Sequence, residues 1–142
     1  MSYEYKEKKI VAVIASNIEI GIAMNVLGHL AVGIGYNIND DMMGQNPIND
    51  KSGVKHMGIS KYPFITTKIK QGKIRNVIEE ARKREGIAIA DYPKEMLETS
   101  TDDELISEIS SKEEAQFEYL GCILCGDAKQ INEITGKFQL YN

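Results

Sequence analysis

Three observations place this chain in the α/β class, as a layered α/β/α sandwich with helices on both faces of a small, largely parallel or mixed sheet. Apolar runs rich in β-branched residues recur at four places, "KKIVAVIAS", "YPFITTKI", "GIAIAD" and "FEYLGCILCG". Segments with the helical spacing of apolar residues fall between them. The chain has 142 residues, 42% hydrophobic and 27% charged, enough to bury one sizeable core and without the bias that keeps chains disordered. One domain over residues 1–142 is the expectation, and no repeat or low-complexity segment interrupts it.

"KKIVAVIAS" reads as a buried strand that stops at Ser16 and Asn17. In "EIGIAMNVLGHLAVGIG", steps of about 100° per residue put Ile20, Ala23, Met24, Leu27, Leu30, Ala31 and Ile34 on one face, which should pack on the sheet. Tyr36 to Lys61 is rich in Asn, Asp, Gly and Pro, so turns and a short hairpin fit better than a helix. This excursion is where a lid or binding loop could sit. "YPFITTKI" alternates as a second strand, Gln71 to Glu85 forms a charged amphipathic helix closed by Gly86, and "GIAIAD" is a third strand. Ser100 or Thr101 can cap a helix whose first turn holds Asp102, Asp103 and Glu104 and which runs to about Ile109. "FEYLGCILCG" is the fourth strand, "DAKQINEIT" a last helix with Asp127 near its N-terminus, and "GKFQLY" an extended tail.

Seventeen Lys and Arg against twenty-one Asp and Glu give a net charge of -4, the wrong sign for a protein whose affinity rests on neutralising phosphates, so nucleic acid is disfavoured. The basic stretch "KIKQGKIRNVIEEARKRE" interleaves acids and reads as a solvated helix face with no partner. The first apolar run, Ile10 to Ala15, is far shorter than the roughly 18 residues a membrane span needs, and no signal peptide or anchor is expected. Two cysteines in such a chain fit a reducing, cytoplasmic setting.

Cys122 and Cys125 form a C-x-x-C, but residues three apart on a strand point to opposite faces. They read as core cysteines, and no second pair with zinc spacing exists, so no metal is expected. Gly28, Gly33 and Gly35 lie within or after a helix rather than in a strand-to-helix turn, and "ASNIEIG" lacks the glycines and lysine of a phosphate loop. Neither NAD nor ATP is supported, and no cofactor is expected. His29 and His56 are the imidazoles available as bases, and neither is paired locally with a nucleophile. Asp91 ends the third strand, where open α/β sheets hold ligands, although a turn or cap is the plainer role for such a residue.

Asn25 and His29, four apart, share the face of the first helix nearly opposite the expected core stripe, with Ile22 and Val26 beside them. A mixed strip of this kind fits a cleft wall, a contact with the long loop, or a subunit interface. Structural hydrogen bonding and a site are both open.

"KKIVAVIASNIEIGIAMNVLGHLAVGIG", "GVKHMGISKYPFITTKIKQGKIRNVIEEAR" and "EYLGCILCGDAKQINEITGKFQLY" resemble, in the same order over nearly the whole chain, the family known as domain of unknown function 2000. Asn25, Gly28, His29, Gly58, Ile59, Pro63 and Gly126 fit its pattern. That family is in turn distantly similar to the type II peptidyl-tRNA hydrolases, whose ending "IDKVTGHLKLY" is close to "INEITGKFQLY" here. The resemblance implies their three-layer α/β/α fold around a small mixed sheet. Their first helix carries G-K-x-A-A-Q-x-x-H. Laid from Gly21, that motif puts Ile22 at the lysine, Val26 at the glutamine and His29 at the histidine. The resemblance also sets Asp91 against the aspartate of their D-A-G-R-T, where "DYPKE" loses the arginine and threonine. An isoleucine can neither hold a phosphate nor move a proton, so peptidyl-tRNA hydrolysis is not expected.

Two readings follow. In one, the chain binds a small ligand or a protein partner near Asn25 and His29, with His56 and Asp91 as further ligand contacts, or forms a homodimer through the Ile22, Asn25, Val26 and His29 strip. In the other it is a diverged hydrolase with His29 or Asp91 as base and Asn25 orienting the substrate, which requires a pocket where the three converge.

Overall fold

The computed structural model describes residues 6–38 and 42–142. The first five residues of the charged N-terminal stretch and positions 39–41 of the Asn/Asp-rich excursion lie outside them.

The apolar run at the start forms β1 (Lys8–Ala15), followed by the 19-residue helix α1 (Ile20–Ile38). A two-strand hairpin, β2 (Ile48–Asn49) and β3 (Lys55–His56), occupies the excursion. Then come β4 (Phe64–Ile69), α2 (Ile74–Arg82), β5 (Ile87–Pro93), the single-turn α3 (Glu95–Glu98) and α4 (Asp102–Ser110). The chain closes with β6 (Tyr119–Asp127), α5 (Ala128–Thr135) and β7 (Gln139–Leu140). Thr101 caps α4 by accepting from the Glu104 amide at 3.2 Å, and Asp127 caps α5 by accepting from Gln130 at 2.9 Å.

Five strands make one mixed sheet in the order β5-β6-β1-β4-β7. β1 and β4 are parallel, and the other pairs are antiparallel. Central β1 and β6 are buried on both faces, as their continuous apolar runs demand. Ile10, Ala12 and Ile14 point to the α1 layer, while Val11, Val13 and Ala15 point to the layer of α2 and α5. Cys122 and Cys125 likewise fall in the two separate cores as free thiols. Burial pushes both thiols up, Cys125 to about 11, so neither is an available nucleophile.

The buried stripe of α1 is Ala23, Val26, Leu30 and Ile34. Met24 and Ile20, expected inside, are exposed, and Val26, expected on the second face, is fully buried. The helix is thus rolled by about 50° from the orientation that hydrophobicity alone selects. The reason lies across the interface. A β-bulge beside Tyr92 and Pro93 turns both Leu120 and Gly121 toward α1. A Cβ on Gly121 would stand 3.0 Å from Val26 Cγ1, so the glycine admits Val26 to the sheet. By length and composition α1 could cross a membrane, but its buried stripe here closes one face of the sheet.

The excursion is stitched to this frame. Lys61 donates its amide to Met42 O at 2.9 Å and Gly44 to Ile59 O at 2.8 Å, and Met42 and Tyr62 are buried in the α1-side core. The basic helix α2 is not simply solvated, because its arginines are held. Arg82 Nη2 donates to Asp91 at 2.7 Å, and just past the helix end Arg84 Nη1 donates to Glu133 at 2.9 Å. Arg75 pairs with Glu114 and donates to the Phe117 carbonyl.

Candidate functional site

Asn25 and His29 stand on the outer face of α1, both exposed. The His29 ring lies 6.1 Å, centroid to centroid, from Tyr92, which is buried in the α1-side core. Around them the outer face carries Gly21, Met24, Gly28, Val32 and Tyr36, and α1 has no Asp, Glu, Lys or Arg from end to end. A helix on the surface of a globular protein ordinarily turns charge toward water, and this one does not.

Asp91 lies elsewhere. Successive residues of β5 alternate between faces, so Ala90 and Tyr92 join the α1 side while Ile87, Ile89 and Asp91 face α2. β5 continues to Pro93, and Asp91 is paired with Cys122 inside the ladder rather than ending the strand. Burial raises its carboxyl above the ordinary range, partly offset by the Arg82 guanidinium. His29 and Asp91 are therefore separated by the sheet, and the pocket in which Asn25, His29 and Asp91 would converge does not form. The single strip of Ile22, Asn25, Val26 and His29 also divides, because Val26 is buried and Ile22 packs against the core.

His56 is on the hairpin, where its Nε2 lies 2.8 Å from Asp50 Oδ2. The other Asp50 oxygen accepts from the amides of Ser52 at 2.9 Å and Val54 at 3.0 Å. The histidine hydrogen bond and these amides hold the Asp50 carboxyl below the ordinary range. This is the turn chemistry of a hairpin.

Sequence reasoning missed one place. The parallel neighbours β1 and β4 lead to helices on opposite faces, α1 and α2, and at such a switch point a crevice opens beyond the strand ends. There Ser16 donates its backbone amide to Ile69 O at 2.8 Å, and the Asn17 side chain donates from Nδ2 to Gln71 Oε1 at 3.1 Å. Beside them a cleft of about 380 Å³ is lined by Gln71, Gly72, Arg75, Phe117, Glu118 and Tyr119. The Tyr119 hydroxyl donates to Glu114 at 2.7 Å, and the Arg75 guanidinium sits 5.2 Å from the Tyr119 ring centre. Burial and the Glu114 hydrogen bond push the Tyr119 hydroxyl up to about 12. Arg75 and Arg82, seven apart on the helix that buries Ile74, Val77, Ile78 and Ala81, carried the available signal, since such arginines reach past an apolar stripe toward acids.

A family model described as a protein of unknown function, DUF2000, matches residues 8–142. The chain belongs to this family. Among solved structures, a protein of unknown function from Agrobacterium tumefaciens strain C58 superposes with a TM-score of 0.84 at 22% identity, covering 96% of this chain and 98% of that one. At that identity the likeness speaks for the fold of this DUF2000 member. No curated protein matches.

Proposed function

We propose that this DUF2000 protein is a binding module whose recognition surface is the outer face of α1 around Asn25 and His29, and that it does not hydrolyse peptidyl-tRNA. The observation that carries this reading is the uncharged outer face of α1, with Met24, Val32 and Tyr36 exposed around the two polar residues. Exposed apolar area of that extent marks an interaction surface. The residues that would serve a hydrolase are dispersed. His29 and Asp91 occupy opposite faces of the sheet, and Ile22 stands where the type II hydrolases keep a lysine. The fold kinship with those enzymes rests on the resemblance of the sequence segments, to which the mixed five-stranded sheet is compatible.

Two measurements test it. Purified protein incubated with an N-acetylaminoacyl-tRNA should release no N-acetylamino acid above the uncatalysed rate; turnover that disappears in Asp91→Asn would overturn the reading. A photo-crosslinking amino acid at Asn25 or Val32 should give a product of discrete mass, whereas the same group at Lys83, exposed beyond α2, should give none.

A further inference from the structure

We infer that the occupant of the α1 outer face is a second copy of this chain, packed helix against antiparallel helix across a two-fold axis at Gly28; this rests on the recognition surface proposed above. Ile20, Met24, Val32 and Tyr36 are 61%, 66%, 73% and 86% exposed. Their exposed area alone is on the order of 600 Å², against roughly 800 Å² per partner in a standard interface, and Asn25, His29 and the glycines between them supply the remainder.

The face is complementary to itself. In an antiparallel pair centred on Gly28, residues at equal distances on either side of it stand at the same level across the axis, and those near the seam meet. Gly21 and Gly35 are each seven residues away, Met24 and Val32 each four, and Ile20 and Tyr36 each eight. Glycine therefore meets glycine in three places, Met24 packs beside Val32, and Ile20 and Tyr36 lie on the two flanks of the seam. Asn25 and His29 flank this seam on one side of Gly28. With no charge anywhere on α1, two copies meet without like-charge repulsion, and a charged partner would find no counter-charge.

The glycines supply a separate argument. A Cβ at Gly21, Gly28 or Gly35 would meet nothing within 4 Å, and none of the three has a positive φ. Nothing within the described residues thus requires glycine there, although glycine in a helix interior costs stability relative to alanine. A second backbone approaching closely is what the missing side chains would accommodate. A lipid surface is the weaker fit, because interfacial helices carry Lys and Arg on their polar face and α1 carries neither.

Light scattering on the full chain at about 100 μM should give twice the 15.9 kDa monomer mass. Val32→Glu and Gly28→Gln should each raise the dimer dissociation constant at least tenfold without lowering the monomer's Tm. Ile106→Glu, on exposed α4, should leave the dimer unchanged. Since a residue on the axis meets its own copy, Gly28→Cys should form an intermolecular disulfide under mild oxidation, while Ser107→Cys should not. A dimer insensitive to both α1 substitutions would place the interface elsewhere and overturn the inference. A monomer that still crosslinks another protein through Asn25 would overturn the inference and leave the recognition surface standing, and a monomer that crosslinks nothing would overturn both. A monomer that floats with anionic phosphatidylserine vesicles through α1 would replace the second copy with a lipid surface.

Discussion

The His29 ring lies 6.1 Å from that of Tyr92, yet Asp91, the residue before Tyr92, projects from the opposite face of the sheet to Arg82 at 2.7 Å. One peptide step along a strand separates the two environments. For that reason His29 and Asp91 cannot share a reacting group, and substitutions at the two should act independently. The stability changes of His29→Ala and Asp91→Asn should add to within about 0.5 kcal/mol in the double variant, measured by urea unfolding.

Asp91 is held in a place that disfavours its charge. Its carboxyl is raised by burial, more than Arg82 lowers it. A carboxyl raised in the folded state stabilises below its unfolded pKa, and that contribution is lost as pH rises through the folded value. Asp91→Asn should therefore leave Tm at pH 7 equal to or above that of the natural chain, with the gain shrinking as the pH falls through the raised carboxyl's range and gone by about pH 4, the unfolded value. A large loss of Tm at pH 7 would mean that the Arg82 pair dominates instead.

The roll of α1 can be read from two truncations. Val26 is fully buried against Gly121, and Val26→Ala should cost about 2–3 kcal/mol in chemical denaturation. Met24, on the outer face, should cost under about 0.5 kcal/mol when truncated to alanine in the monomer. Equal costs would restore the stripe expected from hydrophobicity.

Glu95 is a buried carboxylate anchored by Lys112 at 2.7 Å, with its Oε1 unpartnered. Burial pushes its carboxyl up, but the Lys112 hydrogen bond and the nearby lysine charges outweigh that and leave it below the ordinary value of 4.5. A lowered carboxyl contributes stability above its unfolded pKa and loses it as the pH falls through the folded value. Lys112→Met should lower Tm by several degrees at pH 7, and the deficit should fade as the pH falls below 4.5 through the lowered range in which Glu95 becomes protonated.

Gly126 has a φ of +150°, and a Cβ there would stand 2.0 Å from the Gly86 carbonyl oxygen. Gly126→Ala should cost about 2–4 kcal/mol by urea unfolding, because neither backbone can yield without disturbing the β5–β6 ladder. Gly28→Ala, in open space on α1, should cost the monomer nothing and can add helix propensity.

The sequence by itself determined the element order, the α/β class and the family, because strand and helix periodicities, the α4 and α5 caps and the opposed cysteines are local properties. It also marked α1 as unusual, since the lack of charge over Ile20–Ile38 needs no coordinates to see. Only the tertiary structure decided which side of α1 is inside. That choice depends on Gly121, a residue nearly a hundred positions away that lets Val26 reach the sheet. The separation of His29 from Asp91 and the anchoring of Arg75 and Arg82 were likewise settled by strand register and helix placement. Those are set by packing between distant segments, which a local pattern of apolar and polar residues does not encode.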